Sequence, residues 1–499
     1  MSLKKNILAN YLGAGWAALM NLAFVPLYIK YLGIEAYALI GIFAMLQGLL
    51  SLLDLGMAPT ISREMARFQT VDEGSQPARN LLRSVETIAV CLAVVMGATL
   101  WGISSWLAKD WLVAKGLPTD VIAHAVVIMG GLIGLRIIEN IYRSALIGLQ
   151  RQVRLNLILV ITATLRGLGV LAVLAYLENS VRAFFLWQLV ASVASIVMLA
   201  TATYSVLPKA TARAVFSAHS LRSVGRFAAG TMAITCLSIL LGNMDKILLS
   251  RLLPLEIYGY YAFAVVVAQT PLGFVAPIAQ AYYPRFTQLH SQNNQAGLTI
   301  AYHSATQLVT VLLGAASAFL ILFGRDVLEI WTNSVALSGR TYSLAAVLSV
   351  GTLFNGLVTI PYFLQLSSGW TTLTLRVNLF AVVLVAPALL VLVPQFGAMA
   401  AAWVWFALNT FYVIVVIPIM HRRLLPREKW RWYIQDVTCP LIAAFVTGLL
   451  LRSLFPMVTG RLQNLAALIF CALLLTLSAA LSAPIVRRQM LGFFSGNSV

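Results

Sequence analysis

Charge is scarce in this chain. Only 10% of its 499 residues are Asp, Glu, Lys or Arg, and mean hydropathy is +0.89. A water-soluble domain of this length needs far more charge to dress its surface. Long polar stretches are also missing, so no sizeable soluble domain fits between the apolar segments. Cysteine is limited to Cys91, Cys236, Cys439 and Cys471, each in or beside an apolar run and without metal-ligand spacing. They read as small core residues, which excludes a disulfide framework or a zinc site. Catalytic signatures are absent as well: no GxxxxGK[ST], no HExxH, and no carboxylate pair close in sequence at a membrane surface. The nearest pair, Asp72-Glu73, sits beside Gly74 and Ser75 and reads as a solvated turn. The expectation is a protein that is not an enzyme and holds no resident cofactor or metal.

What the chain does have is length of apolar sequence. A bilayer core needs roughly 20 apolar residues per helical span. Segments of that length fall at 7–29, 37–61, 82–107, 121–148, 153–177, 182–206, 224–250, 257–284, 299–323, 341–366, 371–393, 396–420, 437–454 and 463–485. The fold class is therefore an all-α polytopic membrane protein with about 14 transmembrane helices. Lys4 and Lys5 precede a first segment too long for a cleavable leader, so it reads as the first span. With that end in the cytoplasm, the larger share of basic residues falls at inner ends, among them Arg63, Arg67, Arg79, Arg83, Arg151, Arg154, Lys209, Arg213, Arg422, Arg423, Arg487 and Arg488. Both termini are expected inside. The net charge of +18 is explained first by orientation and by contact with anionic lipid headgroups. Nucleic acid is not an expected partner, because no basic soluble module exists to carry it.

The chain repeats itself. Lys30, Glu35 and Tyr37 match Arg251, Glu256 and Tyr258, each pair 221 positions apart. Both stretches lie in a short outer loop between long apolar runs. The repeat unit is six spans, giving lobes at 1–206 and 207–421, with residues 207–221 as a cytoplasmic linker and 422–499 as two extra spans and a tail. Each half enters from the same side, so the repeats are parallel, and such folds place a substrate site between halves near mid-membrane.

Ionisable groups inside a span are costly and usually face a cavity or a partner. Arg136, Glu139 and Arg143 lie on one face of the fourth span, with Asn140 beside them. Arg166 is in the fifth, Asp245 and Lys246 in the seventh, Arg376 in the eleventh with Asn378, Asp54 in the second and Glu86 in the third. Two readings stand. In one, Glu139 neutralises Arg136 and Arg143 and fixes helices together. In the other, Arg143, Arg166, Lys246, Arg376 and Arg136 line a positive cavity suited to a phosphate or diphosphate. Asp245, Glu139 and Asp54 are candidates for ion coupling, holding Na⁺ when ionised or carrying H⁺. Asn10, Asn21, Asn355 and Asn409 are expected to bond between helices, and Gly13, Gly15, Gly130, Gly131 and Gly134 to let helices approach closely. His303, alone at the start of a span, reads as a packed or inner-surface residue rather than a ligand.

Several stretches together carry a family resemblance. They are Asn10-Tyr11-Leu12-Gly13, Val25-Pro26-Leu27-Tyr28-Ile29-Lys30-Tyr31-Leu32-Gly33, Leu53-Asp54-Leu55-Gly56-Met57 and Ala145 to Arg151. Further on come Asp245-Lys246 with Leu252 to Tyr261, Tyr283-Pro284-Arg285, Pro394 to Trp403, Asn409 and His421-Arg422. In order and spacing the chain resembles, over residues 1 to about 425, the bacterial polysaccharide-transporter (Wzx-type) flippases of the MATE-like (MOP) superfamily. The resemblance implies two six-helix lobes in a V around a central cavity, with an extra C-terminal pair. It implies alternating access that moves an undecaprenyl-diphosphate-linked oligosaccharide, an O-antigen or exopolysaccharide repeat unit, from the inner to the outer leaflet of the bacterial cytoplasmic membrane. Ion-gradient coupling, membrane lipids, a glycan polymerase or assembly proteins as partners, and a functional monomer come with it. The first two spans lack the dense Arg clustering of peptidoglycan-precursor flippases, which speaks against that substrate.

Three rivals remain at this stage. A MATE-type exporter of drugs or cationic solutes shares the fold, but a positive interior repels organic cations. A membrane glycan polymerase or ligase needs a long reactive outer loop, and the outer loops here are short. A non-transporting scaffold leaves the intramembrane charges without a purpose beyond packing.

Overall fold

The structure is a computed structural model that describes Gly13 and residues 15–50, 57–68, 76–207, 218–454 and 460–494. Asn10, Asp54, Asp72, Glu73, Lys209 and Arg213 lie outside the described residues. Every regular element among those described is helical. Eleven of the helices are long and apolar enough to cross a membrane, and a shorter apolar one covers Ile34–Leu49. The multi-pass all-α class expected from hydropathy is what the chain forms.

The chain divides into two compact units, Met1–Gly259 and Tyr260–Val499. The first contains α1 (Val25–Leu32), α2 (Ile34–Leu50), α3 (Met57–Arg67), α4 (Gln76–Trp106), α5 (Thr119–Gly148), α6 (Gln152–Tyr176), α7 (Val181–Val206) and α8 (Ala218–Leu252). It ends inside α9 (Leu255–Gln269). Packing joins α8 and the start of α9 to this unit: α8 lies against α2, and Gly259 sits so close to the Ile34 carbonyl that a Cβ would come within 2.4 Å of it. The two stretches matched at an interval of 221 residues meet here, and Tyr37 and Tyr258 are both buried.

Local chemistry explains the turns. Gly33 separates α1 from α2 at φ +82°, a conformation that favours glycine. Pro26 occupies the first turn of α1, where its missing N–H costs nothing. Ser180 starts α7 by accepting a hydrogen bond from the Ala183 amide at 3.1 Å. The core of this unit joins Ile61 and Met65 of α3, Leu82 and Val85 of α4, Ile141 and Ala145 of α5 and Leu199 of α7. One close seam is the one anticipated from glycine spacing. A Cβ on Gly134 would stand 2.8 Å from the Ala93 Cβ, and one on Gly130 would stand 3.0 Å from the Leu100 Cβ. Among the described residues nothing lies within 4 Å of a Cβ on Gly15, so it serves no such approach there.

A strap closes one end of this unit. After α4 the chain makes a π turn, Leu107–Trp111, extends at Leu112 and bends through 115–117 before Pro118. The Glu35 carboxylate accepts from the backbone amides of Lys115 (2.7 Å) and Gly116 (2.8 Å). Leu255 N donates to Val113 O at 2.8 Å, Trp111 Nε1 donates to Ser250 Oγ at 3.0 Å, and the Arg251 guanidinium lies 5.1 Å over the Trp111 ring. The strap therefore ties the start of α2 to the α8–α9 turn.

The second unit completes α9 and adds α10 (Val275–Ser291), α11 (Gln295–Thr332), α12 (Val335–Ser367), α13 (Thr372–Phe396), α14 (Ala398–Phe411) and α15 (Ile417–Leu424). A short turn α16 (Lys429–Arg431), then α17 (Cys439–Leu454), α18 (Arg461–Ser482) and α19 (Pro484–Phe494), follow. Asn294 and Ser334 cap α11 and α12 through the Gly297 and Leu337 amides. Gly397, at φ +64°, breaks α13 from α14. α11 is the hub. One side of it packs with α10, α12 and Trp432, and the other with α17 and α18 through Ala315, Phe323, Ala444 and Leu475. The Asn355 Nδ2 donates to Asn409 Oδ1 at 2.9 Å, an expected interhelical bond. Large apolar side chains such as Val94, Trp101, Val383 and Leu473 are exposed, as suits a chain whose solvent is lipid.

Candidate functional site

The fourth-span charges do cluster, with a partner that sequence spacing did not reveal. α5 presents Arg136, Glu139 and Arg143 on one face, and α6 and α7 bring Arg166, Ser192 and Ser195 against it. Glu139 is only 1% exposed. Its Oε2 accepts from Arg136 Nη1 at 3.2 Å and from Arg166 Nη2 at 2.9 Å. Its Oε1 accepts from Ser195 Oγ at 2.9 Å, and Arg166 Nη2 lies 3.4 Å from Ser192 Oγ. Arg143 is half-buried and makes no ion pair among the described residues. Arg166 thus takes the pairing position that spacing assigned to Arg143.

This arrangement is a pinned cationic set. One carboxylate faces three guanidinium groups, so the set carries an excess of two positive charges. Glu139 accepts from three donors, which leaves it little room to bind a metal cation. The two arginines are fixed by that pairing yet keep side-chain exposures of 22% and 15%, and the Nε of each is buried without a partner. Guanidinium edges held in this way are suited to a diphosphate or another multivalent anion.

The remaining expected residues sit elsewhere. On α8 the Lys246 Nζ donates to Gly242 O at 2.7 Å and lies 3.4 Å from Asp245 Oδ1. The lysine charge is thus answered within its own helix. Asp245 and Lys246 have equal side-chain exposure, 17%, which leaves both reachable. Arg376 belongs to the second unit and is exposed in the second turn of α13, near a helix end. Glu86 is buried in α4, where its Oε1 accepts from the Tyr142 and Tyr204 hydroxyls at 2.8 and 2.7 Å and its Oε2 pairs with Arg83 at 3.4 Å.

One cluster had no counterpart in the sequence reading. His303 is packed, as expected, yet it stands between two carboxylates: Nδ1 faces Asp436 Oδ2, and Nε2 lies 3.0 Å from Glu428 Oε2. Asp436 falls just before the span placed at 437–454, and Glu428 inside a basic loop, so neither registered as intramembrane. The helical rise in fact begins at Lys429 and runs through a π segment, Trp432–Thr438, which buries Asp436 completely.

Comparison with known proteins gives a family and a fold. The family described as polysaccharide biosynthesis protein matches residues 3–290. Among curated proteins none matches the sequence. Of solved structures, a lipid II flippase, MurJ, in an inward closed conformation is similar at TM-score 0.70 with 11% identity, covering 97% of this chain and 99% of that one. A multidrug resistance MATE family transporter of the MOP superfamily, inward-facing, is similar at TM-score 0.67 with 17% identity, covering 82% and 94%. A MOP superfamily transporter from Pyrococcus furiosus, described by a reversed polarity of its binding pocket, is similar at TM-score 0.59 with 17% identity, covering 84% and 96%. The fold is similar to those of a flippase and of MATE transporters.

Proposed function

We propose that this chain, which belongs to the polysaccharide biosynthesis protein family, is a flippase. It moves an undecaprenyl-diphosphate-linked oligosaccharide, an O-antigen or exopolysaccharide repeat unit, from the inner to the outer leaflet of the bacterial cytoplasmic membrane. In this reading the chain has fourteen spans with both termini inside, two six-helix lobes in a V, and an appended C-terminal pair. It works as a monomer by alternating access, the lobes rocking about a central cavity.

The observation that carries the reading is the excess of cations around Glu139. Arg136 and Arg166 are held ready by the carboxylate, and Arg143 has no ion pair among the described residues. A diphosphate entering that field gains charge-assisted hydrogen bonds without first having to order the side chains that make them. The glycan follows the headgroup and the polyprenyl tail stays in lipid. Lys246 and Arg376 are further candidate contacts. Among the coupling candidates the geometry favours Asp245 over Glu139, because Glu139 is held by three donors on a side chain only 1% exposed while the Asp245 side chain is 17% exposed. The coupling ion is Na⁺ or H⁺.

A MATE-type exporter of cationic solutes is the second reading, supported by the likeness to multidrug transporters. The same excess of positive charge disfavours it. The deciding experiment is transbilayer movement in proteoliposomes, with a short undecaprenyl-diphosphate glycan against a lipophilic cation. Protein-dependent movement of the glycan supports the flippase. Movement of the cation alone refutes it.

A further inference from the structure

The second unit holds a buried imidazole that the proposed transport cycle does not use. His303 lies in the third turn of α11 and is fully buried, as is Asp436. The ring presents Nδ1 to Asp436 Oδ2 and Nε2 to Glu428 Oε2 at 3.0 Å. The other Asp436 oxygen accepts from Gln307 Nε2 at 2.8 Å, and Gln307 Oε1 accepts from the Ile485 amide at 2.8 Å. Gln307 thus answers one Asp436 oxygen, and the ring faces the other Asp436 oxygen and Glu428.

Donor counting then fixes what the cluster contains. An ionised carboxylate only accepts hydrogen bonds, and a neutral imidazole offers one N–H and one lone pair. With a single ring proton, one carboxylate faces the ring's lone pair at hydrogen-bond distance, an arrangement that polar groups avoid. Both contacts are hydrogen bonds only when the cluster holds one more proton. The charge count agrees. Asp436 and Glu428 bring two negative charges, Arg431 lies 3.6 Å from Glu428 and brings one positive charge, and an imidazolium brings the second.

The neighbouring groups do not replace that proton. Tyr302 on α11 bonds His421 Nε2 of α15 at 3.2 Å, and the other His421 nitrogen donates to Ile417 O at 3.0 Å, the pattern of a neutral ring. Ser304 pairs with Tyr282 of α10, Tyr433 donates to Val413 O, and Lys429 lies over the Trp430 ring. Arg487 and Arg488 of α19 are exposed. A metal cation does not fit either. The two carboxylates flank opposite edges of the ring, and no three His, Cys, Asp or Glu groups among the described residues converge on one point.

We propose that His303 is a proton-binding site, and that the bound proton joins Asp436 and Glu428 and so pins residues 428–438, where the last two membrane helices begin, onto α11. The ligand is H⁺, and its loss leaves one of the two carboxylates facing a ring lone pair and weakens the docking of α17. The site stands on its own contacts and does not depend on the substrate assigned above.

The test uses the full chain in detergent, unfolded thermally at about pH 6 and about pH 9. The parent is expected to lose about 3–6 °C over that range. H303Q, which has no ring to protonate, is expected to lose little. Glu428 is 26% exposed at the edge of the cluster, so E428Q keeps the test open if H303Q does not fold. Its carboxamide can donate to a ring lone pair, and its pH loss should fall below half of the parent's. In histidine-labelled protein at about pH 8, ¹⁵N spectra should show both ring nitrogens of one histidine protonated in the parent and a neutral ring for it in E428Q. A fully neutral set of histidines in the parent, or equal pH losses in parent and E428Q, overturns the proposal.

Discussion

Replacing Glu139 with Gln separates pairing from cavity chemistry. The substitution keeps the shape of the side chain and removes its charge. Removing one partner of a buried ion pair costs about 3–5 kcal/mol in proteins, because the other charge is left uncompensated. Here the arginines keep 22% and 15% exposure and can partly rehydrate, so the cost falls to or just below the bottom of that range, about 2–3 kcal/mol. A domain of this size shifts Tm by about 2 °C per kcal/mol, giving an expected fall of about 4–6 °C. The assay is thermal unfolding of the purified full chain, followed by tryptophan fluorescence. R166Q alone removes one of the three donors to Glu139 and is expected to cost about 1–2 kcal/mol. The double variant should cost less than the two single losses together, because each variant breaks the same bond. Strict additivity, or an E139Q Tm within about 1 °C of the parent, refutes the pairing and returns Arg136 and Arg166 to the pool of unpaired cations.

R143A is expected to leave Tm within about 1 °C of the parent and to lower glycan movement in proteoliposomes by about tenfold, the loss of one charge-assisted contact; full transport removes Arg143 from the site. E35A takes the acceptor from the Lys115 and Gly116 amides, and hydrogen exchange at 115–116 should accelerate about five- to thirty-fold, the effect of about 1–2 kcal/mol. An unchanged exchange rate means the strap is held by its Trp111 and Val113 contacts alone. G134V places side-chain atoms where even a Cβ meets Ala93 at 2.8 Å, and overpacking of this kind costs about 1–3 kcal/mol. The corresponding change at Gly15, which has open space around it, should be nearly neutral, and equal losses at the two sites would refute the seam.

Hydropathy made the fold class readable because lipid imposes length and composition on every span, a constraint written in consecutive residues. The face shared by Arg136, Glu139 and Arg143 was readable for the same reason, since i, i+3 and i+7 are local. Arg166 was visible as an intramembrane charge, but its bond to Glu139 spans 27 residues and depends on how α5 and α6 pack. The strap left no trace in the sequence at all: two of its donors are backbone amides, which every residue carries. Asp436 and Glu428 were hidden for a third reason. Both lie in a stretch whose Arg427, Lys429 and Arg431 mark it as an inner loop, and only the early start of the helix at Lys429 buries the aspartate against α11.

The two buried acid clusters differ in a way that bears on which part of the chain can respond to protons. Around Glu139 the charged donors are arginines, whose charge does not change over any physiological range, so the surplus of positive charge is permanent. Around Asp436 the ionisable partner is a histidine, the side chain whose charge changes nearest neutrality. A cavity meant to hold a diphosphate through a whole transport cycle needs the first kind of chemistry, because binding should not depend on pH. A docking contact between α11 and the C-terminal helices needs only to be made or released, and the second kind suits it. Exchanging the two kinds tests the division directly. R166H should make glycan movement fall as pH rises from about 6 to about 8, as the new imidazole loses its proton, whereas the parent's movement, at a fixed ion gradient, keeps its pH profile. If R166H and the parent share one profile, the charge at position 166 is not part of the anion site.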